Sequence, residues 1–136
     1  ACVRADRAPG SVESDGRLLT LGPLDNAALI ALVERCAIAV LAAGSLLIQA
    51  MACGTPCIAA PLAGDQRERL QQLALREAVV ASDASVTALA QNASRLWPDA
   101  AAQARLRRSA TALGLSNGLE QALDAMTRWL GPATGE

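Results

Sequence analysis

Histidine, tyrosine and phenylalanine are absent from this chain, and its 136 residues include only two tryptophans. Without histidine no mixed cysteine–histidine metal site can form. The four cysteines, Cys2, Cys36, Cys53 and Cys57, fall in segments that read as strand or buried helix, so reduced core thiols are expected. Cys53 and Cys57 are four apart, but Gly54 and Pro56 break the helix that would align them, and no metal or cofactor is expected. The chain is 52% hydrophobic, much of it alanine, which with so few aromatics predicts close-packed helices rather than a ring-filled core. Twelve basic and thirteen acidic residues leave a net charge of -1, not the basic footprint of a nucleic-acid binder. The local cluster Arg105, Arg107 and Arg108 lies on an alanine-rich helix and reads as a solvated face. No apolar run approaches the roughly 20 residues of a membrane span, and the N-terminus is not signal-like. The length fits one domain, residues 1–136, with a sizeable core. A start at Ala1 rather than Met leads us to expect a fragment, a processed product or an excised domain.

What is present is an alternation. Ala1–Arg4 reads as a strand, Arg7–Gly16 as a loop, and Arg17–Gly22 as a strand ended by Gly22-Pro23. Asp25 caps a helix that runs through Arg35, with Leu29, Leu32 and Val33 at helical spacing. Cys36–Ala42 is continuously apolar, as in a strand buried on both faces of a parallel sheet. Ser45 is placed to cap a short helix, Leu46–Cys53, apolar nearly all round and so expected to be largely buried. Gly54 stops it and Pro56 prevents its continuation. Cys57–Ala60 is the next strand. Asp65 caps the following helix, with Glu68 three residues on as a capping box and Leu70, Leu73 and Ala74 inward. Ala78–Ala81 is a last strand. A helix then starts at Ser82 or Asp83, Trp97-Pro98 closes it and begins another to about Leu113 with Gly114 as its stop, and Asn117 opens a final one. The last helix has Leu119, Leu123, Met126 and Leu130 as its inner face and ends at Gly131-Pro132. The pattern is βαβαβαβ plus helices, which predicts an α/β fold with a parallel, helix-flanked sheet and right-handed crossovers. Two helix N-termini would follow two neighbouring strand ends on one sheet edge, where ligands bind in open α/β sheets and where anions are favoured.

Gln49, Gly54, Pro56, Pro61, Asp65 and Gln66 fall at the spacing of the donor-binding signature of GT-B glycosyltransferases, a Glu followed by Gly, Pro, Pro and a final Asp-Gln pair. Gln49–Pro56 is similar to the matching segment of retaining GT-B enzymes. Ala43-Gly44-Ser45 resembles the turn that lipid A disaccharide synthase and the peptidoglycan N-acetylglucosaminyltransferase hold against the donor diphosphate. The resemblance covers mainly Leu24–Leu75. It implies a Rossmann-like half of a two-domain enzyme that binds a nucleoside-diphosphate sugar, most often a UDP sugar, without metal. On that likeness the backbone at Gly44 and Ser45 faces the diphosphate, the position of Gln49 meets ribose hydroxyls, and Asp65 and Gln66 hydrogen-bond the transferred sugar. No catalytic residue is found, since the general base normally lies in or beside the N-terminal half. That acceptor-binding half, in the same polypeptide or as a separate and even membrane-anchored subunit, is the implied partner. The implied location is the cytoplasm, or the inner membrane face through that partner.

The chain departs from the family at Gln49, where a neutral amide replaces a carboxylate, and at Leu41, where plant-type members have histidine; the Gly-rich first loop is not visible. A GT-B-related hydrolase or epimerase of nucleotide sugars and a non-catalytic scaffold are the alternatives. Structural duties compete at each position. Ser45 and Asp65 serve adequately as plain N-caps, and Gly54-Thr55-Pro56 is first of all a turn. Gln66 has no evident structural task, and Gln49, if buried in so apolar a helix, must find hydrogen bonds or face a cleft. Trp97 and Trp129 read as core or interdomain packing rather than nucleobase platforms.

Overall fold

A computed structural model describes residues 1–4, 6–116 and 118–130. In chain order it contains β1 (Cys2–Val3), β2 (Val12–Ser14), β3 (Leu19–Leu21), α1 (Asn26–Glu34), β4 (Ala39–Ala42), α2 (Ser45–Ala52), β5 (Cys57–Ala60), α3 (Gly64–Leu75), β6 (Val80–Ala81), α4 (Val86–Leu96), α5 (Ala100–Ala112) and α6 (Leu119–Leu130). The fold is α/β and Rossmann-like: β4, β5 and β6 form a parallel sheet in that order, flanked by helices and followed by a helical run. Registers are Ala39↔Cys57 through Ala42↔Ala60, then Ile58↔Val80.

All four residues of β5 are buried, so the strand shows no polar alternation, as expected where helices cover both sides of a parallel sheet. Alternate side chains still part company. Cys57 and Ala59 join a core with Leu47, Met51, Leu70 and Leu73, while Ile58, on the opposite face, packs with Leu96 and Leu106 of α4 and α5.

The helices α2 and α3 end alike. After α2, Thr55 N–H reaches the Ala50 carbonyl (3.0 Å) and Gly54 N–H the Met51 carbonyl (2.9 Å), a Schellman ending that needs the left-handed φ of +77° at Gly54. After α3, Ala78 and Glu77 repeat the pair onto Leu73 and Ala74, and here the left-handed position, φ +54°, is held by Glu77. Thr55 Oγ1 donates to the Val33 carbonyl at 2.9 Å, tying this turn to the end of α1.

The expected single βαβαβαβ sheet does not form. β3 instead pairs parallel with β1 (Cys2↔Thr20) and antiparallel with β2 (Val12↔Leu21) in a separate sheet of order β1-β3-β2. β2 lies inside the stretch expected to be loop. Its hairpin is shaped by Asp15, whose Oδ1 accepts from the amides of Arg17 (2.9 Å) and Leu18 (2.6 Å), a local side-chain turn that apolar periodicity does not register. Gly22 is needed where β3 ends, because a Cβ there would lie 1.9 Å from the Ala8 carbonyl oxygen.

Several boundaries differ from expectation. Asp25 does cap α1, accepting from Ala28 N–H at 2.8 Å, but α4 is capped by Ser85 and α5 by Asp99, later than Ser82 or Asp83 and just past Trp97-Pro98. Of the cysteines only Cys57 is buried; Cys2 is exposed and Cys36 and Cys53 are intermediate. Neither tryptophan is core: Trp97 is exposed, as is Trp129 at 92%. The expected inner face of α6 is likewise exposed at Leu119, Leu123 and Met126. Asn117, expected to open that helix, and Gly131-Pro132, expected to end it, lie outside the described residues. Among the described residues no helix is long and apolar enough to cross a membrane.

Candidate functional site

Because β4 and β5 are parallel neighbours, the turns leaving them reach the same sheet edge, and Ala43 N–H bonds the Ala60 carbonyl (2.9 Å) to hold the two strand ends level. The chain then turns sooner than expected at both. The N-cap of α2 is Gly44, not Ser45, and that of α3 is Ala63, not Asp65; neither has a side-chain cap bond. Ser45 and Asp65 are therefore first-turn residues with exposed side chains, and the Asp65–Glu68 capping box does not form. Two helix N-termini with orphan amides and aligned peptide dipoles stand side by side, an arrangement that favours an anion.

Gln66 has a structural task after all. Its Oε1 accepts from Leu62 N–H at 2.9 Å, reaching back over the helix start as the third residue of a capping box does, one position displaced. Its Nε2 lies 3.7 Å from where a Cβ on Gly44 would stand, so the α3 side chain reaches the α2 N-terminus. Gly44 itself has φ −92°, open to any residue, and glycine here serves closeness rather than backbone conformation.

Arg69 is the residue that sequence reasoning missed. Its Nη1 donates to the Ala43 carbonyl at 3.4 Å, placing a cation beside the β4–α2 turn. Its spacing from Gln66 (i, i+3) puts both on one face of α3, the signal that would have found it. Gln49 is not the buried glutamine considered from sequence. α2 turns Leu47, Ala50 and Met51 to the core and leaves Ser45 and Gln49, one turn apart, on its exposed face. The structure thus gathers Gly44, Gln66 and Arg69 closely, sets Ser45 and Gln49 on one stripe of α2, and leaves Asp65 exposed on the first turn of α3.

Beside these turns, at the carboxyl ends of β4 and β5, an apolar hollow of about 220 Å³ is lined by Ala42, Ala60, Leu62 and Leu89 among others. The site offers backbone amides, the side-chain amides of Gln49 and Gln66, the Ser45 hydroxyl, the Asp65 carboxylate and the Arg69 guanidinium, groups suited to hydrogen bonding and charge pairing. Among the described residues no cluster of three or more His, Cys, Asp or Glu residues could hold a metal. Comparison of the chain with protein-family models, with characterised proteins and with solved structures finds no match.

Proposed function

We propose that the chain is the nucleotide-sugar-binding domain of a GT-B-type glycosyltransferase, taking a nucleoside-diphosphate sugar, first of all a UDP sugar, at the paired N-termini of α2 and α3. The observation that supports this most is the approach of Gln66 Nε2 to Gly44, which brings the last residue of the donor signature against the turn that resembles a diphosphate-binding one. In this reading the amides at Gly44 and Ser45 and the Arg69 guanidinium meet the diphosphate, Ser45 and Gln49 present hydrogen-bonding groups toward the ribose side, and Asp65 and Gln66 meet the sugar. Transfer requires an acceptor-binding half that supplies the general base, in the same polypeptide or as a separate subunit. The scaffold reading draws on two observations: Gln66 Oε1 is already engaged with Leu62, and Gln49 lacks the family carboxylate.

An NMR titration with UDP separates them. Donor binding shifts the amide signals of Gly44, Ser45, Gln49 and Asp65. Gly44→Ala, whose new methyl meets Gln66 at ordinary contact distance and so leaves the fold intact, abolishes the shifts by holding phosphate away from the backbone. Gln49→Glu tightens binding about fivefold, because hydrogen bonds to charged acceptors are worth roughly 1 kcal/mol more than neutral ones. Signals unmoved by uridine, thymidine and guanosine nucleotides at millimolar concentration would sink the donor reading in favour of the scaffold.

A further inference from the structure

β4 is built as an inner strand yet stands at an edge. Ala39–Ala42, preceded by Ile38, contains no polar residue, the composition of a strand neighboured on both sides in a parallel sheet, whereas β4 ends the order β4-β5-β6 and Val40 is 45% exposed. Ala39 and Ala43 donate their amides to Pro56 and Ala60, each at 2.9 Å. Since a parallel ladder engages alternate residues, the backbone N–H and C=O of Val40 and Ala42 point away from β5. β1 shows the same asymmetry: Arg4 N–H bonds the Leu21 carbonyl at 2.8 Å on the β3 side, turning the backbone groups of Val3 the other way. Val3, Val40 and Ala42 line a single apolar groove of about 490 Å³, together with Leu29 and Leu32 of α1 and Leu46 of α2. α1 is correspondingly under-covered, with Val33 its only buried residue.

We propose that this groove receives one extended, apolar β-strand from a polypeptide segment outside residues 1–136, which pairs with β4 along one edge and β1 along the other and joins the two three-stranded sheets into one. About four residues, some 13 Å of strand, match the length of β4. The ladders continue on both sides, and that selects the occupant. A helix spends its backbone groups internally, a lipid or small apolar molecule offers none in a row, and an exposed apolar edge is a template for strand addition. In a second copy of this chain every described strand is already paired along at least one edge, so it could satisfy one wall of the groove but not both.

The probe is a soluble peptide of six alternating valine and isoleucine residues flanked by lysines, and its twin N-methylated at every second amide. Hydrogen exchange is followed by NMR on the whole chain. The plain peptide slows exchange at Val3, Val40 and Ala42 at least tenfold at saturation, while the twin, equally apolar but blocked along one edge, protects one wall of the groove only, Val3 or else Val40 and Ala42, and never both. Unchanged exchange with millimolar plain peptide overturns the proposal, as does equal protection by the twin, which would mean apolar adhesion without strand pairing. Protection of Val40 that grows with chain concentration in the absence of peptide also overturns it, by assigning the groove to a second copy.

Discussion

Each of the two sheets has three short strands, mixed in direction in β1-β3-β2 and all parallel in β4-β5-β6, and the two contrast most sharply in what covers them. In β4-β5-β6 the middle strand is sealed by α2 and α3 on one side and by α4 and α5 on the other. In β1-β3-β2 no residue belongs to either buried cluster, and Val3, Val12 and Leu19 are exposed. Strand pairing alone therefore does not make a stable sheet; burial does, because two- or three-residue ladders contribute little without an apolar face to hide.

Truncation on each side tests this most strongly. Ile58→Ala, at a fully buried position of β5, is expected to cost about 2–5 kcal/mol in urea unfolding, whereas Val12→Ala, 64% exposed in β2, should change stability by less than about 0.5 kcal/mol. Comparable losses would mean that the first sheet is buried in solution. Next in size is Gly22→Ala, where the new methyl meets the Ala8 backbone. A cost of about 1–3 kcal/mol is expected, with NMR shifts confined to residues 1–22 and the β4-β5-β6 signals unmoved; changes that spread into β5 would couple the two sheets.

The thiols give a third contrast. Cys57 is buried and donates from Sγ to the Thr55 carbonyl at 3.1 Å. Burial, then the nearby Cys53, pushes its pKa up from 9.0 to about 12. Because the folded value is the higher one, the unfolded thiol ionises first, so the stabilisation is complete below pH 9.0 and is lost as pH rises toward about 12. Cys57→Ala should flatten stability over that alkaline window, and at neutral pH a thiol reagent should label Cys2 in the exposed sheet while sparing Cys57. The smallest effect is expected at Glu77, the left-handed residue after α3. Glu77→Gly matches the ending already used at Gly54 and should raise stability by up to about 1 kcal/mol. No gain would show that the Glu77 side chain offsets its own strain.

The elements around the candidate site were the most legible ones. Asp25, the Gly54-Thr55-Pro56 turn, the apolar run of β5 and the inner leucines of α3 each announce their local structure through one short-range cause. What sequence reasoning missed involves partners distant in the chain. Gly44 displaces Ser45 as cap, and Ala63 displaces Asp65, because strand register fixes where each turn begins. Gln66 acquires its bond only when Leu62 folds back over it, Arg69 its contact only when α3 comes beside Ala43 of the β4–α2 turn, 26 residues away in sequence. Gln49 looked buried because α2 is so apolar; its true exposure depends on which face the sheet occupies. For α6 the amphipathic spacing is plain, but spacing says that a face is apolar, not that anything covers it.

By itself the sequence determined the alternation of strands and helices, the stops at Gly54 and Pro56, and the setting of two helix starts after two strand ends, since these depend on backbone preference and apolar period within a few residues. Tertiary structure alone decided that β3 leaves the main sheet for β1 and β2, that Arg69 joins Gly44 and Gln66, and that an inner-type strand, β4, is left with an open edge. Those outcomes turn on which long-range ladders close and which faces find cover, and no local preference encodes that choice.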